Sequence, residues 1–120
     1  MNLSFTNKTV IITGGTRGIG ASLVDAFHAT GAKIIFTGTK QVRDVNLDRL
    51  SHKNDVHYHQ LDFSSDESVE QFLNVVNELD RVDMLINNAG VNKIEAITEI
   101  SVDDWDWINA VNLRGPFLLT

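Results

Sequence analysis

Short apolar runs alternate with longer amphipathic stretches along this chain. The runs cover residues 10–12, 34–36 and 84–86, and a more mixed segment covers residues 56–61. Each apolar run is short and is bounded by glycine, asparagine or polar residues, which is typical of strands that are buried on both faces of a parallel sheet. The pattern therefore predicts four parallel strands.

Helical spacing of apolar residues separates these predicted strands. From Ile19 onward the apolar positions share one helical face, and Gly31 can end that helix. A second helical pattern begins at Ser64, which forms a capping-box pair with Glu67 three residues later. Residues 41–52 are polar, and their loosely spaced apolar positions predict at most a short helix.

A last helical pattern begins at Ser101, where Asp104 offers a capping pair, and it continues towards the final residue. We expect Trp105 and Trp107 to pack together near its start. The apolar pattern reaches Thr120 without a signal that stops a helix, so we also expect the chain to end inside a domain.

The alternation of elements predicts the fold class. The order β-α-β-α-β-α-β-α is the signature of right-handed βαβ units on a parallel sheet. A length of 120 residues suits one domain or part of one. We therefore expect an α/β doubly wound sheet, in which residues 1–120 form a portion of a single domain.

Composition excludes several function classes. The net charge is −6 and the basic residues are scattered singly, so nucleic acid is not an expected partner. The chain has no cysteine, which excludes disulfides and thiol catalysis, and no apolar run long enough for a membrane span. His57 and His59 share a strand face, but two ligands without a third predict packing or solvent contact rather than a metal site. The expected location is cytoplasmic.

A glycine-rich turn carries the candidate chemistry. The segment TGGTRGIG, residues 13–20, lies between the first strand and the first helix. Gly14 can supply the tight turn, Gly18 the close approach of the backbone to a phosphate, and Gly20 the close packing of helix on strand. The alternative is a turn that only links strand to helix.

This turn, together with the segment NNAG at residues 87–90 after the fourth strand, resembles the short-chain dehydrogenase/reductase family. Within it the chain is most similar to the 3-oxoacyl-[acyl-carrier-protein] reductases. The resemblance covers nearly the whole chain but only the N-terminal half of the family pattern. It implies a Rossmann-type sheet with strand order 3-2-1-4. Sugar-nucleotide epimerases share this fold and remain an alternative, although they commonly space their first glycines differently.

The resemblance also implies cofactor-binding residues. The residues that would hold the pyrophosphate and the adenosine ribose are Gly14, Thr16, Arg17, Gly18, Ile19 and Gly20. Asp62 and Phe63 would contact adenine, unless Asp62 is only a turn residue before a helix. Asn88, Ala89 and Gly90 would lie behind the two riboses, and the asparagines of this segment would tie neighbouring strands together.

The end of the second strand bears on the choice of cofactor. NAD sites usually carry a carboxylate here, bonded to the ribose 2′-hydroxyl, whereas residues 37–40 contain none. Arg17, Thr39 and Lys40 suit a 2′-phosphate instead, and an arginine can bind phosphate through two hydrogen bonds. NADP(H) is therefore favoured over NAD(H), with Lys40 alternatively a solvated surface lysine.

Pro116 is the only proline, and it removes the helical hydrogen bond to the carbonyl of Asn112. The resemblance implies that Asn112 is the catalytic asparagine, whose carbonyl anchors a water in a proton relay. Alternatively, Pro116 only kinks or ends the helix.

The resemblance implies an oxidoreductase that reduces a carbonyl, or oxidises an alcohol, by hydride transfer. Its substrate would be a small molecule or an acyl-carrier-protein-bound group, and its full-length form a homo-dimer or tetramer. The family's catalytic serine, tyrosine and lysine have no counterpart here, since the only tyrosine, Tyr58, lies in the third strand. These 120 residues are therefore expected to bind cofactor at most. A non-catalytic dinucleotide-binding or partner-binding module is the alternative.

Overall fold

The computed structural model describes residues 3–120 and contains one parallel sheet of four strands. The strands are β1 (Thr9–Ile12), β2 (Lys33–Gly38), β3 (Val56–Gln60) and β4 (Met84–Ile86). Their spatial order is β3-β2-β1-β4, and every neighbouring pair is parallel. This confirms the predicted fold class and strand order.

The core has two parts because successive side chains of a strand point to opposite faces of the sheet. On one face, Val10 and Ile12 of β1 pack in the same cluster as Val24 of the first helix. On the other face, Ile11 packs in a cluster with Phe72 of a later helix. All of β1 is buried, which explains why its sequence is apolar without alternation.

Helices cover both faces of the sheet. They are α1 (Gly18–Ala29), α2 (Asp66–Asn77), α3 (Val102–Asn109) and α4 (Gly115–Leu119). Between β2 and β3 the chain forms two single 3₁₀ turns instead of the short helix that residues 41–52 allowed. No helix within residues 3–120 is both long enough and apolar enough to cross a bilayer.

Serine side chains cap α2 and α3. Ser101 caps α3 as predicted, accepting from a first-turn amide at 3.0 Å. The predicted capping box at Ser64 is wrong by one residue, because Ser65 caps α2 and accepts from the amide of Ser68 at 3.2 Å. Ser64 is used earlier: its amide and its hydroxyl both donate to the carboxylate of Asp62, in the turn before the helix.

The helix around Pro116 continues through a π-helical turn at Ala110–Arg114. The amide of Gly115 donates to the carbonyl of Ala110, five residues earlier. A Cβ atom at position 115 would lie 2.6 Å from the Phe63 ring, so glycine allows this turn to approach the end of the sheet closely. Pro116 therefore does not end the helix, which runs on to Leu119.

Asp83 joins the starts of β1 and β4, a role that no sequence motif indicated. Its Oδ2 atom accepts the amide of Thr9 at 2.8 Å, and its own amide donates to the carbonyl of Thr9 at 2.9 Å. The hydrogen bond from the Arg81 guanidinium, followed by that from the Thr9 amide, lowers the pKa of the Asp83 carboxyl below its ordinary value of 3.8.

We predict that Asp83→Ala lowers the melting temperature at neutral pH. A carboxyl whose pKa is lowered by folding stabilises the protein above its unfolded-state value, and that contribution is lost as the pH falls through the folded-state value. The difference from the unsubstituted protein should therefore shrink in thermal melts below pH 3.8. Asp80→Ala, which removes a neighbouring exposed carboxylate, is the control. A difference that is constant with pH would contradict this role.

Candidate functional site

A cleft of about 780 Å³ opens at the carboxyl ends of the strands. The chain reverses its strand order between β1 and β4, and ligands of open α/β sheets bind outside the carboxyl ends of strands at such a switch point. The cleft brings together these predicted cofactor residues: Gly14, Thr16, Arg17, Gly18, Ile19, Gly20, Thr39, Asp62, Phe63, Asn88, Ala89 and Gly90. Lys40 and Asn112 are not among its lining residues.

The glycine turn has the backbone conformation that its sequence predicted. Gly14 and Gly18 have φ angles of +68° and +58°, in the left-handed region that other residues adopt at a cost. The turn is tied to β2, since the Gly15 amide donates to the carbonyl of Thr37 at 2.9 Å. The hydroxyl of Thr37 also accepts the amide of Gly14 at 3.4 Å.

Helix α1 begins without a cap. Arg17 occupies the N-cap position in an extended conformation, and its side chain makes no capping hydrogen bond. In the part of the chain that the structure describes, no hydrogen bond occupies the amides of Gly18, Ile19 or Gly20. Free first-turn amides and the positive end of the helix dipole together form an anion-binding position.

Gly20 lets the start of α1 lie directly against the turn. A Cβ atom at this position would come within 2.0 Å of the Gly14 carbonyl oxygen and 2.6 Å of Asn88 Nδ2. Any side chain would therefore push the helix away from β1 and β4. The close packing that the sequence assigned to Gly20 is present in the structure.

Thr13 and Asn88 connect the glycine turn to the end of β4. The Asn88 side-chain amide donates to the carbonyls of Thr13 and Gly14, at 3.1 and 3.0 Å. The buried Thr13 hydroxyl accepts the amides of Asn88 and Ala89, at 3.1 and 3.0 Å. Asn88 thus ties neighbouring strands as expected. Sequence reasoning assigned Thr13 no such role, although a hydroxyl between a buried strand and a glycine turn was a usable signal.

Asp62 and Phe63 lie between β3 and α2. Asp62 is half-buried; its Oδ1 accepts from Ser64, and its amide donates to Ser68 Oγ at 2.9 Å. The turn role that the sequence left open is therefore present, and the second carboxylate oxygen remains for the cleft. Phe63 is buried against the Gly115 turn.

The two residues after β2 differ in position. Thr39 is exposed and lines the cleft together with Arg17 and Thr16. Lys40 is exposed and is not among the residues that line the cleft.

Asn112 holds the loop that follows β4. Its Oδ1 accepts the amide of Val91 at 2.8 Å, and its Nδ2 donates to the carbonyl of the same residue at 2.7 Å. Val91 lines the cleft beside Gly90. The side chain of Asn112 thus fixes one wall of the cleft, a contact that the spacing to Pro116 did not predict.

The tryptophans differ from the expected packing pair. Trp105 and Trp107 are 57% and 38% exposed, and Trp107 lines the cleft. The two residues lie two apart on a helix, so they cannot share a face. Trp107 is therefore a cleft residue that sequence reasoning missed.

The two histidines of β3 differ in exposure and in packing. His59 packs against the Phe72 ring, with 6.2 Å between ring centroids, while His57 is exposed. Burial, followed by the charge of His57, lowers the pKa of His59. Among residues 3–120 no group of three or more His, Asp or Glu side chains is placed to hold a metal ion.

Comparison with known proteins gives consistent results. A family model described as short chain dehydrogenase matches residues 8–120. The chain is 32% identical to a 3-oxoacyl-[acyl-carrier-protein] reductase of Aquifex aeolicus, covering 100% of the chain and 50% of the relative. It is 36% identical to meso-2,3-butanediol dehydrogenase of Serratia marcescens, covering 94% of the chain and 45% of the relative.

Solved structures agree with these sequence relatives. A short-chain dehydrogenase/reductase of Brucella melitensis superposes with a TM-score of 0.86 at 29% identity, over 99% of this chain and 51% of that one. A metagenomic short-chain oxidoreductase in complex with NADP gives a TM-score of 0.82 at 29% identity, over 99% and 54%. The chain spans about half the length of the curated relatives it matches.

We predict that Gly20→Ala destabilises the protein strongly. The added methyl group must displace the Gly14 carbonyl or the Asn88 side chain, and overpacking of this kind costs about 1–3 kcal/mol. Gly90→Ala is the matched control from the same cleft, because its Cβ would meet only Asn112 Oδ1, at an ordinary 3.6 Å. Chemical denaturation of both variants measures the difference. Equal free energies of unfolding would contradict the close packing at Gly20.

Proposed function

The chain belongs to the short-chain dehydrogenase family, and from that premise we propose that it binds NADP(H) for an oxidoreductase that interconverts a carbonyl and an alcohol by hydride transfer. The observation that carries this proposal is the uncapped start of α1, where the amides of Gly18, Ile19 and Gly20 are free within the described residues. A pyrophosphate supplies the oxygen acceptors that these donors lack.

The cleft residues fit a dinucleotide in shape as well as in charge. Gly18 has no atom within 4 Å of the position that a Cβ would take, so a phosphate can approach its backbone. Thr16 and Arg17 flank this position and add a hydroxyl and a guanidinium. Asp62 and Phe63 at the far end of the cleft are the proposed adenine contacts.

The nicotinamide end of the cofactor is proposed to lie beside Asn88, Ala89 and Gly90. When bound, the cofactor supplies or accepts the hydride. Asn112 keeps this end of the cleft in place by binding both backbone groups of Val91. We assign to the backbone carbonyl of Asn112 the binding of a water in a proton relay, because Pro116 has no amide to donate to it.

The preference for NADP(H) rests on charge at the end of β2. The cleft has no carboxylate from residues 37–40, and it contains Thr39 and the guanidinium of Arg17. A 2′-phosphate is attracted by such a set, whereas a carboxylate would repel it. Two of the structural neighbours are complexes with NADP, which supports the same choice.

The reaction, the substrate and the assembly are proposed from the relatives and from the surface. The names of the relatives include an acyl-carrier-protein substrate and a small diol, so we propose that the substrate is a small or carrier-bound carbonyl compound and that the reaction takes place in the cytoplasm.

Leu113 and Phe117, on the last helical segment, are 69% and 78% exposed, which supports a homo-oligomer in the full-length form.

Titration of the protein with NADPH and NADH, followed by cofactor fluorescence, tests the proposal. We expect saturable binding of both nucleotides, with NADPH bound about tenfold more tightly or better because of one additional charge-assisted interaction. Binding of neither nucleotide would contradict the proposed function, and tighter binding of NADH would contradict the choice of cofactor.

We predict that Arg17→Ala weakens NADPH binding about 10- to 100-fold and NADH binding much less, because only NADPH carries the 2′-phosphate that this guanidinium is proposed to bind. Lys40→Asp should also weaken NADPH selectively, by placing a negative charge near the 2′-phosphate. Arg43→Ala, which removes an exposed arginine outside the cleft, is the control. An equal loss for both nucleotides in Arg17→Ala would show that Arg17 does not read the 2′ position.

A further inference from the structure

Side chains from β3 hold the loop that leaves β2. The Tyr58 hydroxyl donates to the backbone carbonyl of Lys40, and Gln60 Nε2 donates to the carbonyl of Thr39 at 2.9 Å. Tyr58 and Gln60 lie two residues apart in β3, so both belong to the same face of the strand. Two consecutive peptide groups of the loop are therefore fixed by one neighbouring strand.

A third carbonyl, one residue earlier in the chain, also accepts a hydrogen bond from the β3 side. The carbonyl of Gly38 accepts the amide of Leu61 at 2.8 Å, as a continuation of the sheet ladder. The carbonyl groups of three consecutive residues, from Gly38 at the end of β2 to Lys40, thus accept donors from β3 or from the residue that follows it. Carbonyl oxygens carry partial negative charge, and here all three are directed to donors on one side.

Tyr58 is itself rigidly placed. It is 9% exposed, and its ring packs against Phe36 with 5.4 Å between centroids. A Cβ atom at Gly38 would lie 3.0 Å from the Tyr58 hydroxyl and 2.8 Å from Thr16 Cγ2. Gly38 therefore packs closely against both Tyr58 and the glycine turn. The Tyr58 hydroxyl is protonated and able to donate at neutral pH, and burial raises its pKa further above the ordinary value of 10.0.

The geometry of the peptide group determines where the amides of the loop point. In a planar trans peptide the N–H of the next residue is directed opposite to the carbonyl. The amides of Lys40 and Gln41 therefore face away from β3, and within residues 3–120 neither has a hydrogen-bond partner. The strand on the other side of β2 is β1, which leads into the glycine turn with Arg17.

We propose that Tyr58 and Gln60 are positioning residues for the recognition of the cofactor's 2′-phosphate. By binding the carbonyls of Lys40 and Thr39, they direct the loop's free amides, rather than its carbonyl oxygens, towards the side where the glycine turn lies. This inference rests on the proposed function and extends it, because it assigns cofactor selectivity to a strand whose own residues need not touch the cofactor.

The test compares two nucleotides that differ only in the 2′-phosphate, adenosine 2′,5′-bisphosphate and adenosine 5′-monophosphate, by calorimetric titration. Tyr58→Phe and Gln60→Met each remove one donor with little change in shape. We expect the double variant to lose about five- to tenfold in affinity for the bisphosphate, the size of one or two misplaced hydrogen bonds, and less than about twofold for the monophosphate. His57→Gln, an exposed position on the same strand, should leave the affinity ratio unchanged.

The ratio of the two affinities separates positioning from stability. Partial unfolding lowers the binding of both nucleotides equally, so an equal loss in the double variant would overturn the inference. A double variant that binds both nucleotides as tightly as the unsubstituted protein would also overturn it, while the proposed function would stand. Failure of the unsubstituted protein to bind either nucleotide would overturn both.

A second measurement does not depend on the variants folding. In the unsubstituted protein, the amide resonances of Lys40 and Gln41 should shift on addition of the bisphosphate and remain nearly unchanged with the monophosphate. Equal shifts with both nucleotides, or no shift with either at saturation, would contradict the assigned direction of these amides.

Discussion

The hydrogen bonds between Thr13 and Asn88 are the constraint on which the site depends. They are reciprocal: the Thr13 hydroxyl accepts two backbone amides from the segment after β4, and the Asn88 side chain donates to two carbonyls of the turn after β1. A buried network in which every member has a partner fixes its geometry. Here the network fixes the Gly14 carbonyl so close to Gly20 that position 20 has no room for a side chain. The network therefore determines where helix α1 begins.

The start of α1 lacks the local stabilisation that a cap provides. Helices α2 and α3 use serine caps, whereas α1 leaves its first amides without a partner among the described residues. A missing cap costs about 1 kcal/mol. Burial of Val24 and Gly20 against the sheet offsets this cost and keeps the free amides in place. Departures from local rules concentrate at functional sites for this reason, because the donors that a ligand needs are those that folding left unused.

Much of the fold was predictable because it depends on hydrophobic periodicity, and β1 shows this directly, since all four of its residues are buried. The glycine turn was also predictable, because a positive φ angle restricts the residue type. Long-range partners of polar side chains were not. The bonds from Asn112 to Val91 and from Tyr58 to Lys40 join residues 21 and 18 positions apart, and no local pattern marks them. The N-cap of α2 was predicted at Ser64 and lies at Ser65, because the adjacent serine can fill the same role.

Titration of the ¹⁵N-labelled protein with NADPH, followed through its backbone amide resonances, tests whether the free amides at the start of α1 bind the cofactor. We expect the amides of Gly18, Ile19 and Gly20 to show large, saturable shifts, because each exchanges water for a phosphate oxygen. Saturation with NADPH that leaves these three amides unmoved would contradict it, since the cofactor would then bind without using the free start of α1.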